Sequence, residues 1–162
     1  MDETDALPLV LLDHRDRRVA VALVALQSTS YRVEAELIGD DSIPPLHESA
    51  DAVAALDLTF LAIEREGKLV GAMGYRVDDG ALDIDRLAVH PQRFREGVGR
   101  RLVDAVLERV PHQRAVVSTG QRNHPARRLY QRAGFVHLED VTITPTLVVS
   151  KYERSALSPG PQ

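Results

Sequence analysis

Two spaced glycines, Gly97 and Gly99, stand between a strand-like run ending at Val89 and an amphipathic segment beginning at Val98. A helix N-terminus presents unpaired N–H groups and a partial positive charge. Glycines, which lack a Cβ atom, let an anion approach that backbone closely. This combination favours binding of a phosphate group. Arginines that would reinforce the site cluster around it, at positions Arg93, Arg95, Arg100 and Arg101.

The glycine pattern is not one of the common nucleotide-binding motifs. It lacks the lysine of a P-loop and the third glycine of the dinucleotide-binding fingerprint. Two glycines before a helix are also typical of an ordinary flexible helix start. Taken alone, the loop therefore leaves both interpretations open.

Further side chains able to transfer protons are Asp83 and Asp85, in a predicted strand, and Tyr130, in a predicted helix. Period-two alternation predicts that the two carboxylates share one face of their strand. A surface pair of aspartates and a packed tyrosine are the alternative interpretations. The six histidines are not spaced like metal ligands, so no metal site is expected.

Composition narrows the class of protein. The 162 residues, 44% of them hydrophobic, suit one domain with a substantial core. The absence of cysteine excludes disulfides, thiolate metal sites and a cysteine nucleophile, and suits a reducing, cytoplasmic compartment. The net charge of -4 argues against a nucleic-acid partner. An acidic N-terminus and the short apolar run 19–26 predict neither a signal peptide nor a membrane span.

Periodicity, caps and turn residues predict a mixed α/β sheet with helices on both sides. Strands are predicted at 7–12, 58–64, 69–77, 82–89, 115–118, 135–144 and 146–152, with Pro145 as a bend between the last two. Helices are predicted at 17–27, 31–38, 49–56 and 98–110, and from Asn123 to a cap at Gly134; 40–48 is predicted as a loop. Residues 1–154 are expected to form one domain and residues 155–162 a disordered tail.

The order of strand, glycine loop and following helix is similar to that of a known family. An acidic strand (83–89) leads into the Pro91 loop and the two glycines, and Asn123-x-x-Ala126-x-x-Leu129-Tyr130-x-x-Ala133-Gly134-Phe135 follows. In this order the sequence resembles the GCN5-related N-acetyltransferase (GNAT) superfamily, over roughly residues 7–153. The family's phosphate loop, R/Q-x-x-G-x-G/A, corresponds to residues 94–99, where both glycines match and Phe94 replaces the usual Arg or Gln. Arg93 or Arg95 could substitute for that side chain.

The resemblance implies a GNAT-type fold with a mixed, mostly antiparallel central sheet of six to seven strands and helices on both faces. It also implies an acetyl-CoA co-substrate whose pantetheine arm pairs with Leu87, Ala88 and Val89, and which Asn123 and Tyr130 contact. The diphosphate would bind the backbone amides of a continuous run, namely Arg95, Glu96, Gly97, Val98, Gly99 and Arg100.

By the same resemblance, the reaction would move an acetyl group to a primary amine by direct attack in a ternary complex. Tyr130 would protonate the leaving thiolate, and Asp83, Asp85 or a water chain would take the amine proton. Tyr31 and Glu34 would line the acceptor pocket, with no metal.

The sequence leaves four properties undecided: catalytic activity, oligomeric state, the acceptor and the acyl chain length. The chain could instead be a catalytically silent acyl-CoA-binding sensor or partner-binding module. It could be a monomer, or a homodimer formed through the hairpin at 141–152. The small-molecule or peptide acceptor and the acyl chain length are likewise undecided.

Overall fold

The computed structural model describes residues 8–156 and contains one seven-stranded sheet. Its strands are β1 Leu9–Leu12, β2 Thr59–Arg65, β3 Lys68–Asp78, β4 Ala81–Val89, β5 Arg114–Gly120, β6 Val136–Thr144 and β7 Leu147–Ser155. Their spatial order is β1-β2-β3-β4-β5-β7-β6. Every neighbouring pair is antiparallel except β4 and β5, which are parallel. The predicted mixed, mostly antiparallel sheet is confirmed.

Helices cover both faces of this sheet, as predicted. They are α1 Arg17–Ile38, α2 Pro44–His47, α3 Ala50–Ala54, α4 Val98–Arg109 and α5 His124–Arg132. Apolar side chains of α1, α2 and α3 form one core with Phe60, Ala62 and Ala72. Apolar side chains of α4 and α5 form a second core on the opposite face, with Met73 and Leu82.

The prediction of two separate helices at 17–27 and 31–38 is wrong, because α1 continues through both. Asp16 caps its N-terminus, and the left-handed Gly39 ends it. The polar stretch between the predicted helices suggested a break, since hydroxyl side chains compete with helical hydrogen bonds. In the helix, Thr29 instead bonds the carbonyl of Ala25, four residues earlier, and Ser30 is buried.

Two further boundaries differ from the prediction. The expected loop at 40–48 contains the short helix α2, which begins at Pro44, a residue suited to a first helical turn. Ser155, assigned to the tail, belongs to β7 and lies opposite Arg114. The rest of the predicted tail, from 157 onward, lies outside the described residues. Within 8–156, no helix is long and apolar enough to cross a membrane.

Candidate active site at a fork in the sheet

The parallel strands β4 and β5 are paired only along half of their length. Their ladder runs from Ala81 opposite Arg114 to Ile84 opposite Val117. Beyond that point β5 continues to pair with β7, whereas β4 runs on to Val89 beside β3. The two strands therefore diverge and leave a fork, which opens toward α4. An opening in a sheet exposes main-chain groups that must find other partners.

Two hydroxyl groups of α1 meet the exposed edge of β4 in this fork. The Leu87 N–H donates to Tyr31 Oη at 3.0 Å, and the Val89 N–H donates to Ser30 Oγ at 3.1 Å. Successive amides alternate along a strand, so the N–H of Ala88 points the other way, toward β3. Two of the three residues predicted to pair with a pantetheine arm thus turn their donors into the fork.

Side chains from opposite faces of the sheet meet in the same fork. Tyr31 belongs to the core under α1, and Tyr130 belongs to the core under α5. The Asn123 side chain lies near the Glu34 carboxylate and lowers its pKa, and the charge of Glu34 raises the pKa of both tyrosines. We call Tyr31, Glu34, Asn123 and Tyr130 the fork cluster. A continuous sheet would keep these four side chains apart.

Burial sets the protonation of the fork cluster. Burial raises the pKa of the Tyr130 hydroxyl, and the Glu34 carboxylate raises it further. The pKa of Tyr31 is likewise raised, chiefly by burial, so both phenols are protonated at neutral pH. Burial also raises the pKa of Glu34, and the hydrogen bond from Asn123 partly opposes this shift. The cluster therefore combines two neutral phenols with a carboxyl group whose pKa is raised.

Asn123 both caps α5 and interacts with Glu34 on α1. Its position before a predicted helix indicated only the first of these roles. Its Oδ1 accepts the Ala126 N–H at 3.2 Å and so caps α5, the helix predicted to begin here. Its side chain also reaches Glu34 on α1. Tyr130, seven residues further along, packs edge-on against Phe135 with ring centroids 5.6 Å apart. The cap and this ring contact orient α5 toward the fork.

The glycine loop lies at the wide end of the fork. Gly97 has a φ of 82°, which glycine adopts readily. Its carbonyl accepts a hydrogen bond from the Arg101 N–H at 2.9 Å. The amides of Val98, Gly99 and Arg100 come before that bond and have no acceptor within the helix. Gly71 lets α4 approach, since a Cβ there would lie 2.5 Å from Val98 Cγ1. The helix start thus offers free donors beside the exposed edge of β4.

Side chains of the loop point to solvent rather than onto the helix start. Phe94 is 41% exposed, and Arg95 has a φ of 68° and is exposed. Arg93 lies 3.4 Å from Glu96, and Arg100 lies 2.9 Å from Asp104. An anion bound here would rely on backbone donors, which makes the identity of residue 94 less important.

The two strand aspartates form ion pairs. The register passes from Tyr75 opposite Ile84 to Gly74 opposite Arg86, so Asp85 is an extra residue that interrupts the predicted alternation. Both carboxylates still reach Arg76, at 3.7 Å from Asp83 and 3.9 Å from Asp85. Burial raises the pKa of Asp83, while Arg76 lowers it.

Arg86 anchors a polar network that the sequence analysis missed. Its buried guanidinium binds Asp85 at 2.7 Å and Glu48, and reaches Gln27 Oε1 at 3.4 Å. Gln27 in turn donates to Glu48 at 3.3 Å. An arginine inside an otherwise apolar strand end was the available signal, because such a side chain needs buried partners. Nothing local could have indicated Ser30.

Within residues 8–156, no group of three or more acidic or histidine side chains is placed to hold a metal ion. The site consists of a strand edge, a helix start and the fork cluster. A sheet forked between two parallel strands, with a glycine-bearing helix start at its open end, is the arrangement that the resemblance to acyl-CoA N-acyltransferases implies.

Comparison with known proteins identifies the family. The model of the acetyltransferase (GNAT) family matches residues 20–135, so the chain belongs to this family. The resemblance inferred from the glycine loop and the Asn123–Phe135 segment is thereby confirmed.

Individual relatives cover the chain to different extents. YqkA of Bacillus subtilis is 35% identical over 142 residues, which are 87% of this chain and 41% of YqkA. The peptidyl-lysine N-acetyltransferase YiaC of Escherichia coli is 33% identical over 92 residues, which are 54% of this chain and 59% of YiaC. The chain thus matches less than two thirds of either relative.

Among solved structures, the PaiA N-acetyltransferase of Thermoplasma acidophilum, in complex with coenzyme A, is similar in fold. The TM-score is 0.70 at 14% identity, covering 92% of this chain and 99% of that one. Identity this low supports the shared fold alone.

Proposed function

We propose that this single-domain chain is an N-acetyltransferase that moves an acetyl group from acetyl-CoA to a primary amine. The observation that carries the proposal is the fork, where α1 and α5 bring the fork cluster together from opposite faces of the sheet. Family membership and the coenzyme A complex of PaiA support the co-substrate.

The residues present fit an acyl-CoA. The amides of the glycine loop and of the start of α4 would hold the diphosphate, in the run Arg95, Glu96, Gly97, Val98, Gly99 and Arg100. The Glu96 N–H would have to leave the Arg93 carbonyl, to which it donates at 3.4 Å. The N–H groups of Leu87 and Val89 would hold the pantetheine arm and the thioester carbonyl, as donors aimed at developing negative charge. When bound, acetyl-CoA supplies the activated acetyl group.

The proton transfers fall to the chain's own side chains. Tyr130 donates the proton that the departing thiolate requires, a role that its buried, protonated hydroxyl supports. Tyr31 and Glu34 face the acceptor. The candidates to take the proton from the amine are Asp83, Asp85 and a water chain.

A second candidate function is a catalytically silent sensor of acyl-CoA. The hydroxyls of Ser30 and Tyr31 already satisfy the strand donors that the ligand needs. Phe94 also departs from the family's loop pattern. Such a protein would bind acetyl-CoA without consuming it.

The deciding experiment measures thiol release from acetyl-CoA with a panel of amines, including lysine peptides because of the similarity to YiaC. Binding of acetyl-CoA is measured separately by calorimetry. Turnover with any amine supports the transferase. Binding without turnover on any amine supports the sensor, and absence of binding would contradict both.

The Ser30 hydroxyl occupies the Val89 N–H, for which acetyl-CoA would compete. Ser30→Ala is expected to tighten acetyl-CoA binding about two- to tenfold, the equivalent of one neutral hydrogen bond. Calorimetry measures the change. Thr29→Ala is the matched control, because the exposed Thr29 hydroxyl bonds only within α1. Weaker binding by the Ser30 variant would show that the hydroxyl assists the ligand.

We further propose a homodimer through the C-terminal strand pair. β6 is the last strand of the sheet order, and three of its apolar side chains are exposed: Val136 at 65%, Leu138 at 57% and Ile143 at 57%. An uncovered apolar edge strand favours pairing with another chain. Sedimentation equilibrium should show a dimer for the wild type and a monomer for Leu138→Lys. A monomeric wild type would refute the proposed homodimer.

A further inference from the structure

Glu34 is a half-buried carboxylate to which the mechanism above gives no proton transfer. It lies three residues after Tyr31, so both side chains project from the same face of α1. Tyr31 Oη contacts the Leu87 N–H, the donor proposed for the thioester carbonyl. Glu34 therefore lies one helical turn along α1 from the side chain that contacts this donor.

Contacts across the fork hold Glu34 in that place. Asn123, at the cap of α5, lies near enough to lower the pKa of the Glu34 carboxyl group, and Tyr130 lies near enough for Glu34 to raise the pKa of its hydroxyl. Glu34 is thus near the proposed acid, Tyr130, on one side and near Tyr31, which contacts the proposed carbonyl donor, on the other. A base for the incoming amine has to occupy this kind of position.

The strand aspartates are less suitable. Asp85 is bound by the buried Arg86 and also contacts Arg76, and these cations stabilise its charged form. Asp83 pairs with Arg76 and lies opposite Val116, where β4 and β5 are still joined. Both carboxylates are therefore at the closed end of the fork.

The charged and titratable groups around Glu34 leave its carboxylate able to accept a proton. Tyr31 faces it from α1, and Asn123 and Tyr130 face it from the α5 side. Arg86 on β4 acts on Tyr31 but is engaged by Glu48 and Asp85. Arg122 binds the carbonyl of Ile38, one turn further along α1.

We propose that Glu34 is the general base that takes the proton from the ammonium group of the acceptor, an inference that rests on the proposed acetyl transfer. The neutral amine then forms the C–N bond to the thioester carbon, and the C–S bond breaks. Tyr130 gives its proton to the thiolate and regains one from the new amide nitrogen. The proton on Glu34 leaves to water, so one proton is released per turnover.

The raised pKa of Glu34 agrees with this role, because a base works best when its pKa is nearer the working pH. Only the ionised carboxylate accepts a proton. Activity should therefore rise with pH through the pKa of Glu34, above the usual range of a glutamate, and then stay level until the amine itself loses its proton.

The test is the pH dependence of kcat/KM for wild type and Glu34→Gln, with a lysine peptide or whichever amine of the panel the wild type acetylates. At pH 7 the variant should be about 10²- to 10³-fold slower. It should use only amine that is already neutral, so its rate should rise about tenfold per pH unit up to the amine pKa near 10.4. Wild type should be level over that interval.

Glu36→Gln is the matched control, because it removes the same charge from an exposed position of α1. Its pH profile should equal that of wild type. Loss of the level region in Asp83→Asn or Asp85→Asn, with the Glu34→Gln profile unchanged, would assign the base to that aspartate and overturn the proposal. Calorimetry with acetyl-CoA checks that the Glu34 variant is folded.

If Glu34→Gln raises the KM for the amine but leaves the pH dependence of kcat/KM unchanged, Glu34 only binds the acceptor. That result would overturn the proposal. An unchanged rate would overturn it as well. Failure of the wild type on every amine would instead overturn the acetyl transfer on which the inference rests.

Discussion

Tyr130→Phe is expected to lower kcat for acetyl transfer about 10²- to 10⁴-fold, the usual contribution of a general acid. The thiolate would then leave without a proton in a site where burial disfavours charge. Acetyl-CoA affinity should fall by no more than about tenfold, the equivalent of one neutral hydrogen bond, because the phenyl ring keeps its edge-on contact with Phe135. Thiol release measures the rate, and calorimetry measures the affinity.

Tyr75→Phe is the control for this experiment. Tyr75 is a partly buried tyrosine of β3 that packs against the same core, and it is not a member of the fork cluster. Its hydroxyl should be dispensable for turnover. An equal loss of kcat in both variants would mean that Tyr130 acts through stability rather than through its proton.

Among the variants described, Arg86→Met is expected to lower the free energy of unfolding most. Removing one partner of a buried ion pair costs roughly 3–5 kcal/mol, because the other charges stay behind without compensation. We expect the lower end, about 3 kcal/mol, since Glu48 and Asp85 are 16% and 27% exposed and can turn partly to water. For a chain of this length the melting temperature should fall by about 6–12 °C.

Arg76→Gln provides the comparison, because Arg76 faces Asp85 too but is 49% exposed. An exposed pair contributes only about 0–1 kcal/mol. Urea denaturation of both variants measures the two free energies of unfolding. Equal values, or a wild-type value for Arg86→Met, would show that the Gln27–Glu48–Arg86 network does not hold α1 and α2 against β4.

Most of the secondary structure was predictable because its signals are local. The cap at Asn123, the left-handed Gly134 after α5 and the turn at Pro145 each act within a few residues. The errors came where local signals conflict with packing. The hydroxyl-rich segment around Thr29 resembles a helix break, yet burial of Leu26 and Ser30 on one face keeps α1 continuous.

The sequence by itself determined the family, through the order of strand, glycine loop and Asn123 helix, and located the amides proposed to bind phosphate. Those features depend on spacing along the chain. Only the tertiary structure decided how the site is built. Tyr31 is 56 residues from Leu87, and Ser30 is 59 residues from Val89. Glu34 and Tyr130 come near enough to interact electrostatically because β4 and β5 separate after Ile84, and no local pattern encodes where two strands of a sheet diverge.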